Sequence, residues 1–310
     1  MSTLVFVISS IFALLSAGAL GVGAEPRTVD LKPKFVVGQE DRFMVEMNSA
    51  RQAKFVDSNV NRPESYRQKL RVKRRVLETG EAGAKLELVY EAAEIAIAAG
   101  NKSVGYDSEG INDSESELTV GTAVEPALNK PIIVEVDPLG RVKRVSGNAN
   151  APGVPPALSL LGDEMFTRTF VPLYGSGADV ASAAVGHTWI EERQSPAAQT
   201  GVVTTLRRFT LDEANDRTAK IGISGSLSLE PSEKAAAAKT RIDSSAVTGS
   251  MTWSLEIGCV KEYVYRQEMK LMAETDGRER VALTEYSLVI SRIEVWPPEG
   301  AAKQETTGLK

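Results

Sequence analysis

Apolar and polar residues alternate with a period of two through most of this chain, the signature of half-buried strands. Ile132, Val134 and Val136 share one face of a short run, and Met251, Trp253, Leu255 and Ile257 share one face of another. Each run meets a glycine-containing turn, Pro138-Leu139-Gly140 in the first and Gly258 in the second, and continues as a further alternating run. Residues 260–274 and 280–296 form two long alternating runs around Asp276-Gly277, a strong hairpin signal. The pattern also recurs. Residues 83–95 and 131–145 resemble residues 218–230 and 250–264, and the opening run 36–47 resembles 184–195. The matches are mainly alternation, glycine and a Val-Lys pair, and they predict two similar halves by internal duplication.

Between the repeats the composition changes. Residues 148–156 are rich in Pro, Gly, Asn and Ala and read as a linker. Leu158, Leu161, Met165 and Phe166 then stand near helical spacing, which predicts one helix over residues 157–170, stopped by Pro172. Residues 175–186 read as a second connection, 231–245 as a helical turn or loop, and 102–117 as a long acidic surface loop. The fold expected is mainly antiparallel β. A β-rich half (residues 25–150) is joined through a helix-bearing linker (151–185) to a second half (186–296) and a disordered tail (297–310). The helix is the natural cover for an apolar sheet face.

The first residues differ from all of this. Leu4 to Ala24 carries no charged side chain, and charge begins at Glu25 and Arg27. Val22-Gly23-Ala24 fits the small-x-small cleavage rule, with Ala17-Gly18-Ala19 as a second candidate. The segment reads as a signal peptide over residues 1–24. At about 20 residues it is also long enough to serve as an uncleaved membrane anchor. The location expected is periplasmic or secreted.

Net charge is −5, with both signs mixed along the chain, so there is no electrostatic footprint for nucleic acid. The one basic cluster, residues 69–75, alternates Leu70 and Val72 with charge and reads as the solvated face of a strand. The single cysteine, Cys259, excludes an intrachain disulfide and reads as a buried small hydrophobe. His187, the only histidine, opens a strand in Gly186-His187-Thr188-Trp189 without the context of a nucleophile or a partner base. One His and one Cys are too few for a zinc site. Asp107, Glu109, Asp113, Glu115 and Glu117 lack the spacing of a calcium loop and read as solvated. Trp189, Trp253 and Trp296 are dispersed, with Trp253 on an inward strand face. Asn101 and Asn112 match the glycosylation acceptor pattern. No catalytic, cofactor-binding or metal-ligating residue is singled out.

Several short features together resemble the uncharacterised secreted β-rich proteins of planctomycete-type bacteria. They are the leader, Gly38 with Phe43, Tyr106-Asp107-Ser108, the turn Asp137-Pro138-Leu139-Gly140 into Arg141-Val142, Phe170-Val171-Pro172, and Gly186 to Trp189. The resemblance implies an extracytoplasmic bacterial location and no assigned activity. Three function classes follow: a non-enzymatic envelope protein binding a lipid or small apolar ligand on a curved sheet, an assembly protein that pairs with another envelope protein through strand edges, or a hydrolase working through two carboxylates. Expression in an exporting host should yield a chain whose intact mass begins at Glu25. Retention of residues 1–24 in a membrane fraction would instead establish the anchor.

Overall fold

The computed structural model describes residues 27–56, 62–112, 114–148, 158, 160–197, 200–275 and 277–293. The leader, residues 149–157 at the start of the linker, Asp113, Asp276, Trp296 and the tail lie outside the described residues. The strands are β1 (Thr28–Asp30), β2 (Glu40–Phe55), β3 (Arg62–Gly80), β4 (Gly83–Ala99), β5 (Lys102–Asp107), β6 (Ile132–Val136), β7 (Val142–Ser146), β8 (Ser182–Ala184), β9 (Thr188–Ala197), β10 (Gly201–Ala214), β11 (Thr218–Pro231), β12 (Arg241–Ser254), β13 (Cys259–Thr275) and β14 (Arg278–Ile293). Two short helices, α1 (Glu115–Val124) and α2 (Glu233–Ala237), interrupt them.

One antiparallel sheet runs in the order β7-β6-β4-β3-β2-β14-β13-β12-β11-β10-β9, with β5 also on β4, and β1 and β8 form a separate ribbon. The expected hairpin is present, with β13 and β14 in register from Thr275↔Arg278 to Glu262↔Ser291. The two halves meet where β2 pairs β14 over residues 42–55 and 280–293, so they form one continuous sheet. The mainly antiparallel β class is as the alternation predicts. The repeated segments fall at equivalent steps of two successive meanders. Any two antiparallel meanders share that arrangement, so the topology does not establish duplication.

Alternation sorts each strand into an inner and an outer face. Phe43, Val45 and Met47 of β2 lie opposite Val72, Leu70 and Gln68 of β3, and all six are buried. Burying a Leu or Phe of this kind contributes about 1.5–3 kcal/mol. The outer face carries Lys69, Arg71, Lys73 and Arg75, paired in part with Glu40, Glu91 and Glu109. That is the solvated strand face expected of the basic cluster, with one correction. Arg74 stands in phase with Leu70, Val72 and Val76, so it points inward and is fully buried.

The sheet is curled. Its two edge strands both touch the single π-helical turn Met165–Thr169: the turn contacts β7, and Arg168 donates to Ser195 Oγ of β9 at 2.6 Å. Laid flat, ten strand spacings would separate those edges by about 48 Å. One helical turn bridges them only because the sheet wraps round it.

The cover over the inner face is this segment, and it differs from the predicted helix. The π turn Met165–Thr169 is followed by a 3-10 turn, Val171–Leu173, which contains Pro172. The Phe170 N–H donates to the Met165 carbonyl at 2.8 Å, a five-residue span that lets Phe166 and Phe170 both turn inward. Their rings pack on Tyr90 at centroid distances of 6.4 and 5.9 Å. Pro172 fits because the first turn of a 3-10 helix does not need its missing N–H. Leu158, Leu161, Leu173, Tyr174 and the ribbon residues Val29 and Ala183 complete the cover.

The expected acidic loop is also replaced by regular structure. Val104 and Tyr106 alternate into β5, and Ser114 caps α1 in a reciprocal box with Glu117. Val120 and Val124 bury against the core.

A buried ion pair joins these parts. Arg74 donates through Nη2 to the Asp41 carboxylate and through Nη1 to the Leu173 carbonyl of the cover. Asp41 also accepts from Arg292 Nε at 2.8 Å and from Gln39 at 3.0 Å. Burial alone would raise the Asp41 pKa, but Arg74 and Arg292 outweigh it and hold the carboxyl below its ordinary 3.8. A carboxyl depressed in the folded state stabilises above its unfolded pKa and loses that contribution as pH falls through the folded value. Asp41→Asn should therefore cost about 3–5 kcal/mol in urea unfolding at neutral pH, because it strands a buried guanidinium. The deficit relative to wild type should shrink below about pH 4. A deficit independent of pH would show that packing, not charge, accounts for the loss.

Candidate functional site

At the edge of the cover, the inner faces of β9 and β10 change from aromatic to charged. The register sets Trp189 opposite Phe209, Glu191 opposite Arg207, Arg193 opposite Thr205 and Ser195 opposite Val203. Trp189 and Phe209 stack with centroids 5.4 Å apart, and His187 stacks on Trp189 at 5.9 Å. One step along, the Glu191 carboxylate accepts from Arg193 Nε on one oxygen and from Arg207 Nη2 on the other. The Arg207 guanidinium sits 5.7 Å from the ring centres of Phe209 and of Tyr265, so aromatic faces share in holding its charge.

Two guanidiniums thus share one carboxylate. Arg207 is 9% exposed, and its Nε has no partner among the described residues. Burial, with the Arg207 charge beside it, lowers the Arg193 pKa against the opposing pull of Glu191. Arg168 of the cover is better satisfied: it reaches Ser195 Oγ, the Gln194 carbonyl at 3.0 Å and Glu164 at 2.9 Å. Its bond to Gln194 also occupies part of the free edge of β9. Between these arginines and Val171, Pro172, Gly175 and Gly177 of the cover lies a cleft of about 20 Å³, room for roughly one water molecule. Tyr263 lines it, and burial pushes that phenol up to about 12, so it stays neutral at physiological pH.

Beyond Glu191 and Arg207 the inner face mixes apolar with small polar residues. The next row carries Leu227, opposite Thr205, and Met269, opposite Ser245 and Thr284. After it come Val203 opposite Leu229, and the run Ile242, Leu271, Ala282 and Ala53 across four neighbouring strands. Val203, Leu229, Ile242, Met269, Leu271 and Ala282 are all only partly buried. The inner face therefore has three zones: a covered core, a charged threshold, and a half-exposed apolar floor.

The residues weighed from sequence fall elsewhere. Cys259 is buried, as expected, with its thiol 3.4 Å from Arg74 Nη2, and burial pushes its pKa up. Trp253 is core. His187 Nε2 lies 3.2 Å from Asp179 Oδ1, whereas the Cys259 thiol contacts Arg74 and the Val260 carbonyl. The loop carboxylates are individually engaged: Glu109 with Arg71, Asp107 with the Glu109 N–H, and Glu117 with the Ser114 N–H. No group of three or more His, Cys, Asp and Glu converges among the described residues. Carboxylates do stand opposite each other on β13 and β14, Glu268 with Glu285 and Glu274 with Glu279, but the first two and Glu279 are exposed and Glu274 is paired with Lys239. Sequence reading missed Glu191, Arg193 and Arg207. The available signal was charge in phase with aromatic residues, in Trp189-x-Glu191-x-Arg193 and Arg207-x-Phe209.

No family model and no curated protein matches the chain. Among solved structures it is similar to lipovitellin, at 11% identity and a TM-score of 0.46, over 85% of this chain and 26% of that one. The chain thus spans about a quarter of lipovitellin's length. It is also similar to DynF from the dynemicin biosynthesis pathway of Micromonospora chersina, at 10% identity and a TM-score of 0.18, over 93% and 94% of the two chains. OccK11 (OpdR) of Pseudomonas aeruginosa matches at 8% identity and a TM-score of 0.19, over 85% and 98%. These likenesses are too distant to bear on function.

Removing the shared carboxylate tests the local electrostatics. Glu191→Gln leaves Arg193 and Arg207 facing each other and should cost about 1–3 kcal/mol in thermal or urea unfolding. Added salt should recover part of that loss. A neutral result would mean that the arginines are held by their rings and by solvent alone.

Proposed function

We propose that this chain is a non-enzymatic extracytoplasmic protein that holds a lipid or small apolar molecule on the inner face of its curled sheet. The observation that carries the reading is the half-exposed apolar floor beyond the cover, where Leu229, Ile242, Met269 and Leu271 continue the inward phase of buried neighbours. On this face the apolar residues alternate with small polar ones such as Ser245 and Thr284, whereas the outer face carries charge at Lys270, Glu268 and Glu285. Contiguous apolar surface left open on a folded protein marks an interaction site. The extracytoplasmic location rests on the uncharged leader and its small-x-small site. The one thiol is buried, and burial raises its pKa, so it is a poor nucleophile.

The direct test is native mass spectrometry of residues 25–310 purified from an exporting host, before and after organic extraction. The expected result is an added mass that extraction removes. The floor itself is tested with a neutral long-chain alcohol displacing a fluorescent apolar probe. Leu271→Asp should weaken alcohol binding roughly tenfold or more, since it removes one apolar side chain's contact and adds a charge to be desolvated. Because Leu271 is only half-buried, the melting temperature should change little. A clean apo mass together with unaltered alcohol affinity in Leu271→Asp would sink the reading.

A further inference from the structure

We propose that Arg193 and Arg207 form a carboxylate-binding fork at the head of the apolar floor, so that the ligand is a long-chain carboxylate rather than a neutral lipid. The inference rests on the reading of the floor as a ligand surface, and it adds the chemistry of the head group.

Three observations carry it. The first is a shortage of acceptors. Glu191 takes one donor from each arginine, Nε from Arg193 and Nη2 from Arg207. Each guanidinium has five N–H donors in a planar arrangement that matches a carboxylate. The Arg207 Nε is buried and without a partner, a group that costs free energy unless an acceptor arrives. The second is the cleft beside them. At about 20 Å³ it holds roughly one water, which is the size of one carboxylate oxygen. The neutral phenol of Tyr263 lines the same cleft.

The third is continuity. Arg193 opens the row that runs through Thr205 and Leu227, and the floor reaches Leu271 on β13. Four strand spacings separate β9 from β13, about 19 Å. An extended palmitoyl chain has a comparable length. A head group at the arginines would therefore place its chain along the floor, with the charge at the buried end and the chain leading away from the cover.

The alternative is that Arg193, Glu191 and Arg207 only tie β9 to β10. Palmitate and hexadecanol, which share a chain and differ in the head group, separate the two by displacement of a fluorescent probe at fixed pH and salt. The wild-type protein should bind palmitate roughly tenfold or more tightly than hexadecanol, the advantage of a charge-assisted pair over a neutral hydroxyl. Arg193→Gln should bring the two within about twofold of each other by weakening palmitate alone. Arg193→Lys, which keeps the charge but not the fork, should recover part of the preference. Arg193 is the position to vary because Arg207 is the more deeply buried of the two. Equal affinity for acid and alcohol in the wild-type protein would overturn the inference and leave the apolar-ligand reading intact. Equal loss of both ligands in Arg193→Gln would assign the arginine a structural role and overturn it as well. Failure of both ligands to bind the wild-type protein would overturn the apolar-ligand reading and the inference together.

Discussion

The buried Arg74 guanidinium is the constraint around which the molecule is arranged. It reaches the Asp41 carboxylate of β2, the Leu173 carbonyl of the cover and the Cys259 thiol at the start of β13. Asp41 in turn holds Arg292 near the end of β14. One cation and one anion thus fix four neighbouring strands at the sheet's centre, β3, β2, β14 and β13, and the segment laid over them. A charge this deep is costly unless each of its partners is in place, so the arrangement is stable only when strand register and cover agree. An apolar residue at position 74 would pack, but it would not dictate where residue 173 must sit.

That fixed cover divides the inner face. Where residues 158–178 lie on the sheet, the alternating side chains form an ordinary close-packed core, with Phe166, Phe170 and Tyr90 at its middle. Where the cover ends, the strands continue with the same period and lose their partner. The long strands β2, β3, β13 and β14, of sixteen to nineteen residues, make this possible. Their length exceeds what the cover can hide, and the excess is the floor. The charged threshold sits where the two regions meet.

Much of the fold was legible in the sequence. Period-two alternation marks the strands, and Asp276-Gly277 marks the hairpin. The cover was legible as apolar content and not as conformation, because a helical spacing of Leu158, Leu161 and Met165 does not distinguish an α turn from the π turn that places Phe166 and Phe170. Helix α1 was hidden by composition. Residues 107–117 are polar enough to read as loop, yet Ser114-x-x-Glu117 was a capping signal. Arg74 and the Glu191, Arg193, Arg207 group were obscured for one shared reason. Charge in a strand is ordinarily assigned to the solvated face, and these four residues occupy the inward phase. Their phase was visible, but which face would be inward for each of them depended on pairings far apart in the chain.

The pairing of β2 with β14 has a consequence for how the molecule comes into being. These are the first long strand and the last strand among the described residues, and they lie side by side at the centre of the sheet. The two flanking meanders are built from pairings between strands close in the sequence. The seam between them waits for the final strand, and closing it spans more than two hundred residues of sequence separation, a slow step by topology. Until then Asp41 has neither Arg292 nor a neighbour on that side, and the inner faces of both meanders stay unjoined. By topology, the β2–β14 seam is the least local pairing of the sheet, and it joins two meanders built from more local pairings. Until β14 pairs with β2, each meander keeps one unpaired edge at the future centre of the sheet.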